Sequence, residues 1–444
     1  MESADTLALG ASSRKRMRVQ VSPAAPNKLK PMKPRNPLYA LLFTVLIDMI
    51  GVGIIIPILA PIFLGIEGAL FLPDTTVAFK TIVLGILLAT YPFAQFFGAP
   101  YLGTLSDIYG RKKFLLLSLA GTVFGYLLFG VGILTHSLTL LFVSRIIDGF
   151  TGGNISIALS AIADISTPEN KTKNFGLIGA SFGVGFIIGP WLGGQLADPR
   201  TVSWFNDATP LWVAAGLALI NMLLLARNFQ ETLQKKKSIL QSPSFSFFQG
   251  FANIKQAFLL ISLRRLFLVS MFYTLGFNFF TQFFQVFLVT KFNFSHAEIG
   301  NFFGVIGLWI VIAQGALIRP LSQRFPPRSL LRIVMPLFAI STLAYLIPDR
   351  AILLFFIVPF FSSFNGFILP NLNTLISNAA HPEEQGKILG INQSLQALAM
   401  TIPPLVAGVA FTVNQNLPII LCALLVIVGW LVLLTVPKPT TTLA

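Results

Sequence analysis

Residues 103–113 read Gly103-Thr104-Leu105-Ser106-Asp107-Ile108-Tyr109-Gly110-Arg111-Lys112-Lys113. The two glycines permit a tight turn, three bases close the stretch, and one acid stands beside them. On both sides the chain becomes apolar, over 81–102 and 114–134. A membrane-spanning helix needs about 20 apolar residues rising about 1.5 Å each. Both flanks are long enough to cross a bilayer, so the basic stretch is a loop joining two spans.

Working outward, apolar runs bounded by charge or by Gly and Pro occur near 38–64, 81–102, 114–134, 139–162, 174–198 and 209–228. Six more lie near 264–290, 297–319, 329–347, 350–375, 387–411 and 417–436. The composition agrees: 55% of residues are hydrophobic and 11% charged, against roughly 25% charged in a soluble domain. A water-soluble fold is excluded. The chain reads as an all-α membrane protein of twelve transmembrane helices.

The net charge of +15 would raise nucleic-acid binding in a soluble chain. Here the bases sit in loops between apolar runs, which excludes nucleic acid as a partner and makes the lipid bilayer the environment. Of the 31 Lys and Arg, only Lys80, Arg200, Lys291 and Arg350 fall on one side and Arg145 within a span. By the positive-inside rule the richer side is cytoplasmic. Both termini are then cytoplasmic, in a multi-pass protein of the cell (cytoplasmic) membrane. Residues 1–37, polar and rich in Pro and base, read as a disordered cytoplasmic tail with no secretory signal. Residues 229–263, with Lys235, Lys236 and Lys237, form a cytoplasmic linker, and 437–444 a short cytoplasmic tail. Cys422 lies in an apolar run, and His136, His296 and His381 lack metal-ligand spacing. No metal, cofactor or enzymatic chemistry is expected.

The two groups of six spans repeat one another. Pro168-Glu169 pairs with Pro382-Glu383, Gly176 with Gly390, Pro190 with Pro404 and Gly194 with Gly408, all at an offset of 214. Leu105-Ser106 and Leu321-Ser322 are 216 apart, and Gly149 and Gly366 are 217 apart. Six spans per copy place both copies in the same orientation. The expectation is an N-terminal six-helix bundle, 38–228, and a C-terminal one, 264–436, related by a parallel repeat and rocking about a site between them.

Three ionisable groups lie well inside spans: Asp48, Arg145 and Asp148. Each costs ~2.5 to 3.5 kcal/mol on insertion scales and should face a cavity or a partner. Arg145 and Asp148, one turn apart, can pair. A structural salt bridge and a role in proton coupling are both open. Asp48 has no opposite charge in its own span, and low dielectric favours a neutral carboxyl, which suits a proton carrier. The corresponding place to Asp148 in the second repeat holds Asn365.

Four motifs carry a family resemblance. The loop Gly103–Lys113, with Asp107, Gly110, Arg111 and Lys112, resembles the signature between spans 2 and 3 of the major facilitator superfamily. Gly185-x-x-x-Gly189-Pro190-x-x-Gly193-Gly194 on span 5 resembles the motif of that family's antiporter branch. Arg145-x-x-Asp148-Gly149 is similar to its embedded-arginine motif, although the family more often has Gln where Asp148 stands. Asp48-x-x-Gly51-x-Gly53-x-x-x-Pro57 resembles span 1 of tetracycline-resistance-type drug:proton exporters. The resemblance covers 38–436 and implies a monomeric carrier.

The elements also have a physical reading. Asp107 can accept N–H groups at the start of a helix in the opposite bundle, near Lys387 on span 11, and latch the cytoplasmic side. The second repeat has Gln323 at that place, so the latch is one-sided. The small residues of span 5 let another helix approach closely, and Pro190 kinks the span. Ordinary packing and an ion-tight seam are both open there. On span 7, Thr274, Asn278, Gln282 and Gln285 share one helical face, with Ser362, Asn365 and Asn373 similarly on span 10. Helix-to-helix hydrogen bonding and a polar cavity wall are both open. Phe279, Phe280, Phe283, Phe284, Phe360, Phe361 and Phe364 lie between these positions, and an aromatic cavity with few charges suits a bulky amphiphile.

The expected function is therefore secondary active transport by alternating access, exporting a hydrophobic or amphiphilic small molecule in exchange for protons. A proton-coupled symporter or facilitator importing a small nutrient is the alternative, opposed in the sequence only by the span 5 motif.

Overall fold

The computed structural model describes residues 37–64, 70–72, 74–233, 249–317, 320–321, 324–379 and 385–437. Of the expected tails 1–37 and 437–444, residues 1–36 and 438–444 lie outside the described residues, as do Lys235–Lys237, Gln323 and the Pro382-Glu383 pair; Pro37 begins the first helix.

The first span is broken. α1 (Pro37–Ile54) and α2 (Ile56–Leu64) meet at Ile55, just before Pro57, which has no N–H to continue the ladder. α3 (Val77–Tyr109) and α4 (Arg111–Leu134) meet at Gly110, whose φ of 112° no side-chain-bearing residue adopts readily. The fourth span is broken too, into α5 (Leu138–Thr151) and α6 (Asn154–Asp164), because Gly152 and Gly153 interrupt it. α7 (Pro168–Ala197) and α8 (Thr209–Asn228) complete the first bundle.

A short helix, α9 (Gln249–Leu259), stands in the segment expected as linker. At 11 residues it is too short to span. The second bundle is α10 (Ile261–Phe292), α11 (His296–Ile312), α12 (Pro327–Ala344), α13 (Ala351–Asn378), α14 (Gln385–Val413) and α15 (Leu417–Thr435). α11 opens on a capping box between Ser295 and Glu298 and runs into a π-turn, Ala313–Leu317. Among the described residues 11 helical segments are long and apolar enough to cross a membrane. The 30-residue α7, rich in Gly, stands at the place of the remaining span.

Within the first bundle α4 packs on α5 and α8, α3 on α5, and α1 on α7 and α8. Within the second, α10 packs on α15 and α14, and α12 on α13 and α15. The most extensive contacts of all cross between bundles: α3 against α14 and α7 against α11. The repeat exchanges these two pairs, since it carries α3 onto α11 and α7 onto α14. The match extends to single residues. A Cβ on Gly85 would strike Pro404 O and come 3.3 Å from Gly408 Cα, and one on Gly300 would come 2.6 Å from Pro190 O and 3.0 Å from Gly194 Cα. The prolines and glycines that revealed the repeat thus form the seams between its copies.

Apolar side chains such as Phe93, Phe124, Ile340, Phe356, Val409 and Leu424 are exposed around the circumference, where acyl chains take the place of a protein partner. Inside the second bundle the core is aromatic. Phe280 stacks on Phe284 at 4.2 Å and meets Phe361 at 4.4 Å, and Phe302, Phe338 and Tyr345 close the cluster. This corrects one expectation: Phe280, Phe284 and Phe361 fill a bundle core, and Phe360 is 62% exposed. Helical periodicity cannot separate aromatic rings aimed at a core from those aimed at a cavity.

Candidate functional site

Asp48 and Asp148 come together inside the first bundle. They line one small cavity with Tyr91, Thr122, Tyr126 and Asn154, drawn from α1, α3, α4, α5 and α6. Asp48 is buried and accepts a 2.6 Å hydrogen bond from Asn154 Nδ2. The break at Gly152-Gly153 starts a new helix at Asn154 and aims its amide back at α1. Gln95 Nε2 steadies the break, donating to Gly152 O at 2.9 Å.

Arg145 Nη2 lies 3.6 Å from Asp148 Oδ2, and both groups are buried. The guanidinium sits over the Phe129 ring at 4.5 Å and the Tyr91 ring at 5.6 Å, so the aromatic faces share in holding the cation. Thr122 donates to Asp148 from α4. Arg145 Nε and Nη2 have no hydrogen-bond acceptor among the described residues. The cavity is therefore lined by two carboxyls, and an incompletely satisfied cation lies beside one of them.

The basic stretch 103–113, expected as a loop, is helical except at Gly110, and the ties described for it lie within its own bundle. Arg111 pairs with Asp107 and, at 3.0 Å, with Asp164 at the end of α6, and donates to Ser106 Oγ at 2.7 Å. Glu231, just beyond α8, accepts from the N–H groups of Arg111 and Lys112 at 2.9 and 3.2 Å, a carboxylate at the positive end of α4. Gly110 leaves room for it, since a Cβ there would come 2.5 Å from Glu231 Oε2. Gly103 is loosely surrounded, with Ser156 Oγ 3.8 Å from where its Cβ would be. The Lys387 side chain, expected beside Asp107, lies outside the described residues.

The span 5 motif has two working faces. Gly185, Gly189 and Gly193, four residues apart, press against Met49, Ile50 and Ile54 of α1, while Gly194 presses on Gly300 of α11. Pro190 Cδ would meet a Cβ on Gly53 at 2.7 Å. The motif thus clamps α7 between α1 and the opposite bundle.

Of the four polar residues expected on the far wall, Asn278, Gln282 and Gln285 lie on α10 and Asn365 on α13. Asn278 Nδ2 bonds its own helix at Thr274 O, 2.8 Å, and Asn365 accepts from Tyr273 OH at 2.6 Å. Gln285 accepts from Ala60 N across the bundle interface at 3.3 Å, and Gln282 is half-buried. None of the four lines the cavity of the carboxyl pair. Asn154, Thr122, Tyr91, Tyr126, Asp164 and Glu231 were not singled out from sequence. Only Asn154 carried a usable signal, a polar residue directly after a Gly pair within an apolar run.

The sequence profile of the Major Facilitator Superfamily matches residues 41–404 and again 266–443. The chain belongs to this superfamily. Tetracycline resistance protein, class H, of Pasteurella multocida is 31% identical over 375 residues, covering 82% of this chain and 86% of that protein. Tetracycline resistance protein, class C, of Escherichia coli is 28% identical over 385 residues, covering 87% and 92%. The crystal structure of the human organic anion transporter MFSD10 (TETRAN) superposes with a TM-score of 0.69 at 22% sequence identity, over 90% of this chain and 100% of that one. As a superfamily member the protein is a membrane transporter, not an enzyme.

Proposed function

We propose that this major facilitator exports a hydrophobic or amphiphilic small molecule by alternating access, in exchange for protons. The observation that carries the reading is the single cavity shared by Asp48 and Asp148. Exchange needs a group that is neutral in one half-cycle and charged in the other. Asp48, held by the neutral Asn154 amide, is that group. Asp148, beside Arg145, sets the field in which it titrates. The α7 seam supports export with exchange, because glycines packed closely against α1 would suppress ion leakage along that face. The similarity to tetracycline resistance proteins supports a bulky substrate, and the sidedness of the bases supports the cytoplasmic membrane with both termini inside.

Everted vesicles carrying the purified protein test the reading. Adding a substrate panel of hydrophobic cations and tetracycline-like amphiphiles to energised vesicles should collapse part of the pH gradient, and the Asp48→Asn variant should not. No proton movement across the panel, with substrate uptake by whole cells instead, overturns export and leaves a nutrient importer.

A further inference from the structure

Three arginines converge at one end of the second bundle, around the last turn of α15. Arg265 donates to the Thr435 carbonyl and Arg328 to the Val436 carbonyl. Arg332, one turn beyond Arg328 on α12, uses its own carbonyl to accept from Trp430 Nε1 at 2.9 Å. Nε and Nη1 of Arg328 and Nε of Arg332 are buried without an acceptor among the described residues. No carboxylate pairs with any of the three guanidiniums among those residues.

The repeat shows what is missing. Arg111 and Arg328 are 217 apart and both stand at the start of the helix that follows the basic loop. Around Arg111 the first bundle places Asp107, Asp164 and, three residues past α8, Glu231. The sequence positions that correspond in the second copy hold Gln323, Asn378 and, three residues past α15, Lys438. The guanidinium is kept and all three carboxylates are gone. A helix C-terminus supplies only about half a negative charge, which two carbonyls cannot raise to match three cations.

We propose that Arg265, Arg328 and Arg332 form a binding site for a phosphate-type anion, which takes the place of the carboxylates present in the first copy. Guanidinium forks match the oxygens of a phosphate, and the orphaned N–H groups of Arg328 and Arg332 are the donors such a ligand would use. Two sources share this chemistry. The ends of α10, α12 and α15 lie at one membrane surface, where an anionic phospholipid headgroup can enter from the side, and a free phosphate can enter from water.

The test uses the full chain in neutral detergent. Native mass spectrometry is run with phosphatidylglycerol or phosphatidylcholine added, and thermal unfolding is followed in inorganic phosphate against chloride at equal ionic strength. The site predicts preferential phosphatidylglycerol adducts or stabilisation by phosphate; lipid alone identifies the headgroup, and phosphate alone identifies the free anion. Arg328→Gln with Arg332→Gln should weaken the response about tenfold or more, while Arg227→Gln, an exposed base at the end of α8, should not. Asn378→Asp restores a carboxylate at the position of Asp164 and should fold while responding less. Wild-type protein that prefers neither anion, or an unchanged response in both arginine and Asn378 variants, overturns the site.

Discussion

Asn154 Nδ2 donates to Asp48 Oδ2 at 2.6 Å, joining residues 106 positions apart in the chain. A neutral amide is a permissive partner: it can donate to a carboxylate or accept from a carboxylic acid through its oxygen, so Asp48 can change protonation without losing its contact. Under the proposed exchange, Asp48 is the group on which coupling should depend.

Asp48→Asn should abolish proton-driven, concentrative transport and leave downhill substrate exchange measurable, because the amide keeps the bond to Asn154 and cannot carry a proton. Reconstituted vesicles with and without a pH gradient measure both. Full concentrative transport in this variant would remove Asp48 from the mechanism.

Asp148→Asn should injure folding more than coupling. It leaves Arg145 buried against Phe129 and Tyr91 without a counter-charge, and breaking a buried pair by removing one partner costs about 3 to 5 kcal/mol. Expression level and thermal unfolding in detergent report this. A protein of normal stability with altered pH dependence would instead transfer the coupling role to Asp148.

The seam between bundles is sensitive to a single methyl group. In Gly300→Ala the new Cβ would stand 2.6 Å from Pro190 O, whereas in Gly216→Ala it would meet nothing within 4 Å. Overpacking of this kind costs about 1 to 3 kcal/mol. Gly300→Ala should therefore raise cysteine labelling at the end of the bundle remote from the basic loop, and Gly216→Ala should not. Equal labelling of the two variants would mean that the seam opens for other reasons.

Asp107→Asn should loosen the loop that Arg111 organises. The charge-assisted contact to Arg111, worth about 1 to 3 kcal/mol, is lost while Asp164 and Glu231 remain, so the chain should fold, and under the proposed latch its resting population should shift toward cytoplasm-open. Labelling of positions in the cytoplasmic mouth measures the shift; an unchanged pattern argues that Asp107 serves the loop alone.

Two neighbouring amides should behave differently. Gln282→Ala should alter which compounds are carried, whereas Gln285→Ala removes the acceptor for Ala60 N and should lower stability by about 0.5 to 1.5 kcal/mol without changing selectivity. Competition transport assays beside thermal unfolding separate the two outcomes.

The twelve apolar runs, the repeat offset and the buried triplet Asp48, Arg145 and Asp148 were legible because each rests on a local cost. A charge in hydrocarbon, a Pro in a helix and a polar residue in an apolar run carry their penalties wherever the chain folds. The parallel repeat needed only residue numbers, and the helix ends fall within a few residues of the expected boundaries except at the lengthened α3 and α7.

Tertiary structure alone decided the partners. That Asp48 answers to Asn154, that Arg111 is shared between Asp107, Asp164 and Glu231, and that Gly85 and Gly300 are equivalent seam residues all depend on which helix faces which. Twelve amphipathic or apolar rods can be arranged in many ways with the same local cost. The rotation of each rod is set by contacts between residues far apart in the chain. Those same rotations turned Phe280, Phe284 and Phe361 into a core and Gln285 into an inter-bundle acceptor, because a side chain's face along one helix does not reveal what stands opposite.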